Sequence, residues 1–128
     1  MPINSKQLAA VISLLGSERY KHFIKHVADS EKIWGLYDQG WALATSDDGI
    51  SVFPMWSESE YARLCAENEW AGYEPRAFDI EELMNVLIPK LEKDGVLPGI
   101  FPTPTNKGVT PSHEQLRQDL NAELLKYT

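Results

Sequence analysis

The chain reads as an α+β domain. Amphipathic helical patterns precede and follow a β-prone centre without the regular βα alternation of a parallel fold. That centre, Ile33–Trp56, IWGLYDQGWALATSDDGISVFPMW, holds three of the four tryptophans. Two tight-turn signals, Asp38-Gln39-Gly40 and Asp47-Asp48-Gly49, divide it into three runs. Residues of this kind supply the positive φ that hairpin turns need, so a three-stranded antiparallel meander is expected, extended by one or two short strands with helices packed on the sheet. At 128 residues the length suits a single domain with one core.

Ser5 is placed to cap a first helix that ends near Leu15, with Leu8, Val11, Ile12 and Leu15 on one face. Gly16 stops it, and Ser17 caps a second helix to about Ala28, giving a helical hairpin over 5–28. On that second helix Tyr20, Phe23, Ile24 and Val27 share one stripe, while Lys21, His22, Lys25, His26 and Asp29 take the other side. The strands are Lys32–Tyr37, Trp41–Ser46 and Ile50–Met55. Large apolar groups at both parities indicate a sheet covered at least partly on both faces, and Pro54 puts the third strand at an edge or at its end.

Ser57 and Glu60 have capping-box spacing for a helix that buries Tyr61, Leu64 and Cys65 and ends near Asn68. Trp70–Tyr73 is a loop and Pro75–Phe78 a short extended segment. Asp79 caps a helix with Ile80, Leu83, Met84 and Leu87 as its stripe, and Pro89 kinks or ends it. Gly99–Phe101 is a final strand, closing the sheet-and-helix region 32–101. The loop 102–109, proline-rich from Pro102 to Gly108, is a candidate mobile segment. Thr110-Pro111 opens a closing helix over 110–127, with Leu116, Leu120 and Tyr127 along one side.

Net charge of −7 argues against a nucleic-acid or anionic-membrane partner, since either would want a basic face. One cysteine, Cys65, excludes an internal disulfide and fits a reducing cytoplasm. The apolar stretch Leu8–Leu15 lacks a basic flank and is too short for a signal peptide or membrane span.

Four constellations could carry chemistry. His22 and His26, at i,i+4 with Asp29 on the same side, have spacing that can place two imidazoles and a carboxylate on one metal, against the plainer reading of a solvated helix face. Cys65 lies on an apolar stripe, where a thiol is usually inert. The carboxylates between Glu58 and Glu82 are explained by capping and solvated helix charge. The aromatic set Trp34, Tyr37, Trp41, Trp56, Trp70 and Tyr73 divides between core and a recognition surface. Trp70 and Tyr73 in a predicted loop beside Arg76, with Tyr37, form the candidate binding site, because Trp, Tyr and Arg dominate interface hot spots. No phosphate loop, nucleophile elbow or CxxC pair is present.

Tyr20-x-x-Phe23-Ile24-x-x-Val27-Ala28-Asp29-Ser30, Trp34-Gly35-Leu36-Tyr37, Gly40-Trp41, Pro54-x-Trp56 and Tyr61-Ala62 together resemble the bacterial domain-of-unknown-function 2750 family. Cys65, Trp70, Tyr73-x-Pro75, Leu91-x-x-Asp94-Gly95 and Phe101-Pro102-Thr103-Pro104 continue the match, from about Tyr20 into the last helix. The resemblance implies a small stand-alone bacterial protein and supplies no activity, substrate or catalytic residues. In layout alone the chain is also distantly similar to the N-terminal domain of the enhanced-serine-sensitivity protein family.

The expectation is a cytoplasmic, non-enzymatic interaction module without a cofactor, engaging an unknown protein partner or a second copy as a homodimer. Two alternatives stand beside it: a small metal-dependent hydrolase on the His22/His26 face, and an acidic regulatory or immunity-type protein that sequesters a basic partner.

Overall fold

The computed structural model describes residues 5–104 and 107–127. Helix α1 is Ser5–Ile12 and α2 is Gly16–Ser30. Ser5 lies within α1, and both its side chain and the residues before it fall outside the description. Gly16 does not stop α1: it is the first residue of α2, whose N-cap is Leu15 rather than Ser17. Of the expected α2 stripe Phe23, Ile24 and Val27 are buried and Tyr20 half-buried, and Arg19 and Ala28 are buried beside them.

Strand β1 is Lys32–Tyr37, β2 Ala44–Thr45 and β3 Ser51–Met55. Helix α3, Ser59–Leu64, and a short turn, Asn68–Trp70, lead to β4, Glu74–Asp79. Helix α4, Ile80–Glu82, continues through a π turn, Leu83–Leu87, into α5, Ile88–Asp94. Strand β5, Leu97–Ile100, precedes α6, His113–Leu124, and the last turn, Leu125–Tyr127.

The strands form two small sheets rather than one meander. β1 pairs antiparallel with β4, from Lys32↔Asp79 to Tyr37↔Glu74. β3 lies between β2, antiparallel, and β5, parallel. One bridge, Trp34↔Trp56, joins the sheets through hydrogen bonds of 2.9 and 2.8 Å. The expected second strand, Trp41–Ser46, contracts to Ala44–Thr45, and its backbone meets β1 at the Tyr37↔Trp41 bridge and the Ala42 N–H to Leu36 C=O bond. Trp41 accounts for this. Its ring lies across β1 at Gly35, where a Cβ would come within 2.9 Å of it, and packs edge-on against Tyr37, Phe53 and Phe78. Seating a tryptophan over the face of β1 takes the following residues out of the ladder.

Pro54 is in a strand with neighbours on both sides, not at a sheet edge. Met55 C=O accepts from Phe101 N–H, while both main-chain groups of Trp56 face Trp34. By alternation the Pro54 nitrogen faces the gap between Val52, the last residue paired with β2, and Trp56, where no ladder bond is lost.

Three helix starts and stops also differ. The Ser57 cap does not form: α3 begins at Ser59 after Glu58, and Ser57 is buried. Pro89 does not end its helix, because the preceding π turn absorbs the missing donor and the helix runs on to Asp94, where Gly95 closes it at φ 70°. Ser112, not Thr110, caps α6, its Oγ accepting from Gln115 N–H at 3.0 Å. Asp79 caps as expected, accepting from Glu82 N–H at 2.7 Å.

The core gathers Phe23 and Val27 of α2, Ile33 and Leu36 of β1, Met55, Trp56 and Tyr61, Leu83 and Ile88, and Leu116 and Leu120 of α6. Ile33 and Leu36 have opposite parity on β1 and are both buried, so both faces are covered. Tyr127, expected on the buried side, is exposed.

Candidate functional site

A groove of about 640 Å³ opens on the β2–β3–β5 sheet. Ala44, Val52, Pro54 and Gly99 form its floor. The floor is low because Gly99 has no side chain: a Cβ there would sit 2.4 Å from Val52 Cγ1. One wall is the turn from Cys65 to Trp70, the other the segment following Phe101, and the β2–β3 hairpin closes one end.

Each wall is tied down. The hairpin turns through Gly49 at φ 81°, with Gly49 N–H bonded to Ser46 C=O and Ser46 N–H to Ile50 C=O. Asn68 adopts φ 54°, and Trp70 packs perpendicular to Trp56, ring centroids 6.4 Å apart. Trp56 Nε1–H donates to Pro102 C=O at 2.8 Å, and Cys65 Sγ–H reaches the same oxygen at 3.5 Å. Burial, with Glu67 adding to it, pushes the Cys65 thiol up to about 12, so it is neutral and unreactive at physiological pH. Phe101 holds φ 60°, and its carbonyl accepts from Nε of Arg19, a buried cation that also donates to Leu14 C=O. Gly108 lets the returning chain press on β5: a Cβ would lie 2.6 Å from Ile100 O, which accepts from Val109 N–H. Lys107 pairs with Asp47 across the groove mouth, and this hydrogen bond and charge hold the Asp47 carboxyl below its ordinary value.

Of the four residues of the expected binding site, Trp70 alone lines this groove; Cys65 lines it too. Arg76 is on β4, with its guanidinium 4.2 Å above the Tyr37 ring, which packs edge-on against Trp41. Tyr73, half-buried, packs against the core and donates its N–H to Trp70 C=O. The four therefore divide between two places on the molecule.

The histidine face is not simply solvated. His22 and His26 are half-buried and stacked, centroids 5.7 Å apart, and His26 Nε2 lies 2.6 Å from a Glu58 carboxylate oxygen. His22 meets the rings of Tyr61 and Phe101 edge-on, and this burial, reinforced by His26, lowers its pKa against the opposing pull of Glu58. Asp29 is exposed, and the carboxylate facing the pair is Glu58, contributed by α3's N-cap. Among the described residues no group of three or more His, Cys, Asp or Glu is placed to hold a metal ion. The hydroxyls of Ser57 and Tyr61 are buried with no hydrogen-bond partner among the described residues.

Sequence reasoning missed the Leu43–Ser46 edge, Asp48 and the Glu67–Glu69 turn as groove residues. The available signal was Asp47-Asp48-Gly49 beside an exposed leucine, but nothing local places that hairpin opposite Trp70.

Fold and groove define a small α+β domain with a surface cleft. No helix among the described residues is long and apolar enough to cross a membrane. The chain belongs to the family described as "Protein of unknown function (DUF2750)", whose model matches residues 20–120. That span runs from the start of the α2 stripe to Leu120 of α6 and contains the groove and both histidines of α2. No curated protein matches the chain.

Proposed function

We propose that this protein is a non-enzymatic interaction module whose docking site is the groove beside Trp70. One observation carries the reading: a cleft of about 640 Å³ with a low apolar floor is lined by a half-buried tryptophan, Trp70, whose ring packs perpendicular to that of buried Trp56. A rigid aromatic in a concave site supplies contact area at low conformational cost, which is how interface anchors work. Tyr37 and Arg76 stack on each other and stiffen the β1–β4 ribbon instead of reaching the groove.

Site-directed photo-crosslinking in cells tests this. A benzophenone side chain at Thr45, in the groove, should trap a discrete adduct that disappears with Trp70→Ala. The same group at Lys21, on the exposed side of α2, should not. Equal adducts from both positions, or an adduct indifferent to Trp70→Ala, would remove the groove as the docking site.

A further inference from the structure

We propose that the groove takes an extended, Lys- or Arg-bearing segment of a partner protein, which adds as a strand to the outer edge of β2 and sets its cations against Asp48, Glu67 and Glu69. The inference rests on the groove being the docking site and names what it binds.

The backbone argument starts from the ladder. Ser46 N–H bonds to Ile50 C=O and Ala44 stands opposite Val52, so the alternation of an antiparallel pair turns the main-chain groups of Leu43 and Thr45 away from β3. β2 ends its sheet, and Leu43–Ser46 lines the groove. Exposed strand edges are normally blunted by shortness, proline, lysine or a bulge, and of these β2, Ala44–Thr45, has shortness. Leu-Ala-Thr-Ser has neither proline nor lysine, and Leu43 is 49% exposed. An incoming strand gains two donors and two acceptors there, the mode of recognition that reads backbone first and alternate side chains second.

The charge argument selects the occupant. Among the described residues four carboxylates and one ammonium line the groove, and that ammonium, Lys107, is already paired with Asp47. Asp48, Glu67 and Glu69 make no ion pair among the described residues. Lysine and arginine stems can lie along Ala44, Val52 and Pro54 while their heads reach these carboxylates, and the Trp70 face offers a cation–π contact. A second copy of this chain carries a net charge of −7 and would meet like charge, as would a nucleic acid.

The test is calorimetric titration of the full chain with four octapeptides: alternating Lys-Thr, Glu-Thr and Gln-Thr, and Lys-Thr with alternate amides N-methylated. The Lys-Thr peptide should bind, weakening as salt rises, and the surface variant Asp48→Asn/Glu67→Gln/Glu69→Gln should weaken it at least tenfold. The N-methylated peptide should bind at least fivefold more weakly, because its side chains are kept and only strand pairing is lost. Undiminished binding to the charge variant, or binding of Glu-Thr equal to Lys-Thr, would overturn the charge assignment. Undiminished binding of the N-methylated peptide would overturn strand addition. If Gln-Thr binds as tightly as Lys-Thr and Trp70→Ala abolishes both, the groove stands and the basic partner falls. If Trp70→Ala changes no titration, the groove falls too. A dimer in light scattering that Trp70→Ala dissociates would give the groove to a second copy and overturn the proposal.

Discussion

Replacing Arg19 by methionine should destabilise the fold. Arg19 is 3% exposed and makes no ion pair with a carboxylate among the described residues. Its guanidinium instead donates to Phe101 C=O at 3.2 Å and to Leu14 C=O, joining the α1–α2 turn to the backbone that enters the groove wall. Methionine keeps the apolar stem, so the change isolates the polar contribution. A hydrogen bond from a charged donor contributes about 1.5–3 kcal/mol, which makes the gross loss roughly 3–6 kcal/mol for two such bonds. Against this, methionine escapes the cost of burying a guanidinium, which is moderated by that ion's weak hydration. The net expectation is a loss of about 2–4 kcal/mol, a large share of the stability of an ordinary domain. In urea the midpoint should fall by roughly 1–2 M at unchanged m. Arg19→Lys should lie between, because an ammonium reaches one carbonyl without spanning both. A methionine variant with an unchanged or raised midpoint would show that desolvation outweighs the two bonds, and would refute the clamp.

Three further outcomes are expected. His22 titrates lower in the folded state than its ordinary 6.5, so the unfolded chain binds more protons in that range. The stability it contributes is full above about pH 6.5 and is lost as pH falls through the lower folded value, and His22→Asn should flatten this part of the unfolding free-energy profile between pH 7 and 5. Ser57→Ala and Tyr61→Phe each remove a buried hydroxyl without a partner among the described residues, and each should leave stability unchanged or raise it by up to about 1 kcal/mol. A loss above that size in thermal unfolding would mean that the hydroxyl is hydrogen-bonded in solution. Gly35→Ala drives a Cβ to 2.9 Å from a Trp41 ring held by Tyr37, Phe53 and Phe78, so it should cost about 1–3 kcal/mol and alter near-ultraviolet circular dichroism. Unchanged spectra and stability would mean that the ring moves freely.

Much of the element-level structure was legible. Alternation and turn chemistry bounded β1 at Lys32 and Tyr37, and the 3.6-residue spacing of Phe23, Ile24 and Val27 identified the buried side of α2. Asp79 caps and Asp47-Asp48-Gly49 turns as read, because a cap or a tight turn depends on a few adjacent residues. Ser57 shows the limit of that logic. Its spacing to Glu60 is right for a capping box, yet burial of residues 55–57 against the core shifts the helix start to Ser59. Pro89 shows the break displaced rather than absent, since a π turn interrupts the regular helix just before it while packing on Leu83, Ile88 and Leu91 carries the helix on to Asp94. Of the candidate binding residues Trp70 lines the groove, whereas Arg76 and Tyr37, grouped with it by sequence proximity and residue type alone, stack on each other in the β1–β4 ribbon.

By itself the sequence determined the α+β class, the helical pair ahead of the strands, the main turns and the acidic charge, because each depends on periodicity, neighbouring residues or composition. Only the tertiary structure decided that β4 takes the edge of β1, that β5 lies parallel to β3, and that Trp70 faces an acidic groove beside an open strand. Those arrangements rest on contacts between distant residues: Lys107 with Asp47 across 60 positions, Arg19 with Phe101 across 82, and Tyr20 with Asp119 across 99. Such pairs leave no periodic trace in the chain, since what brings them together is the packing of whole elements on a shared core.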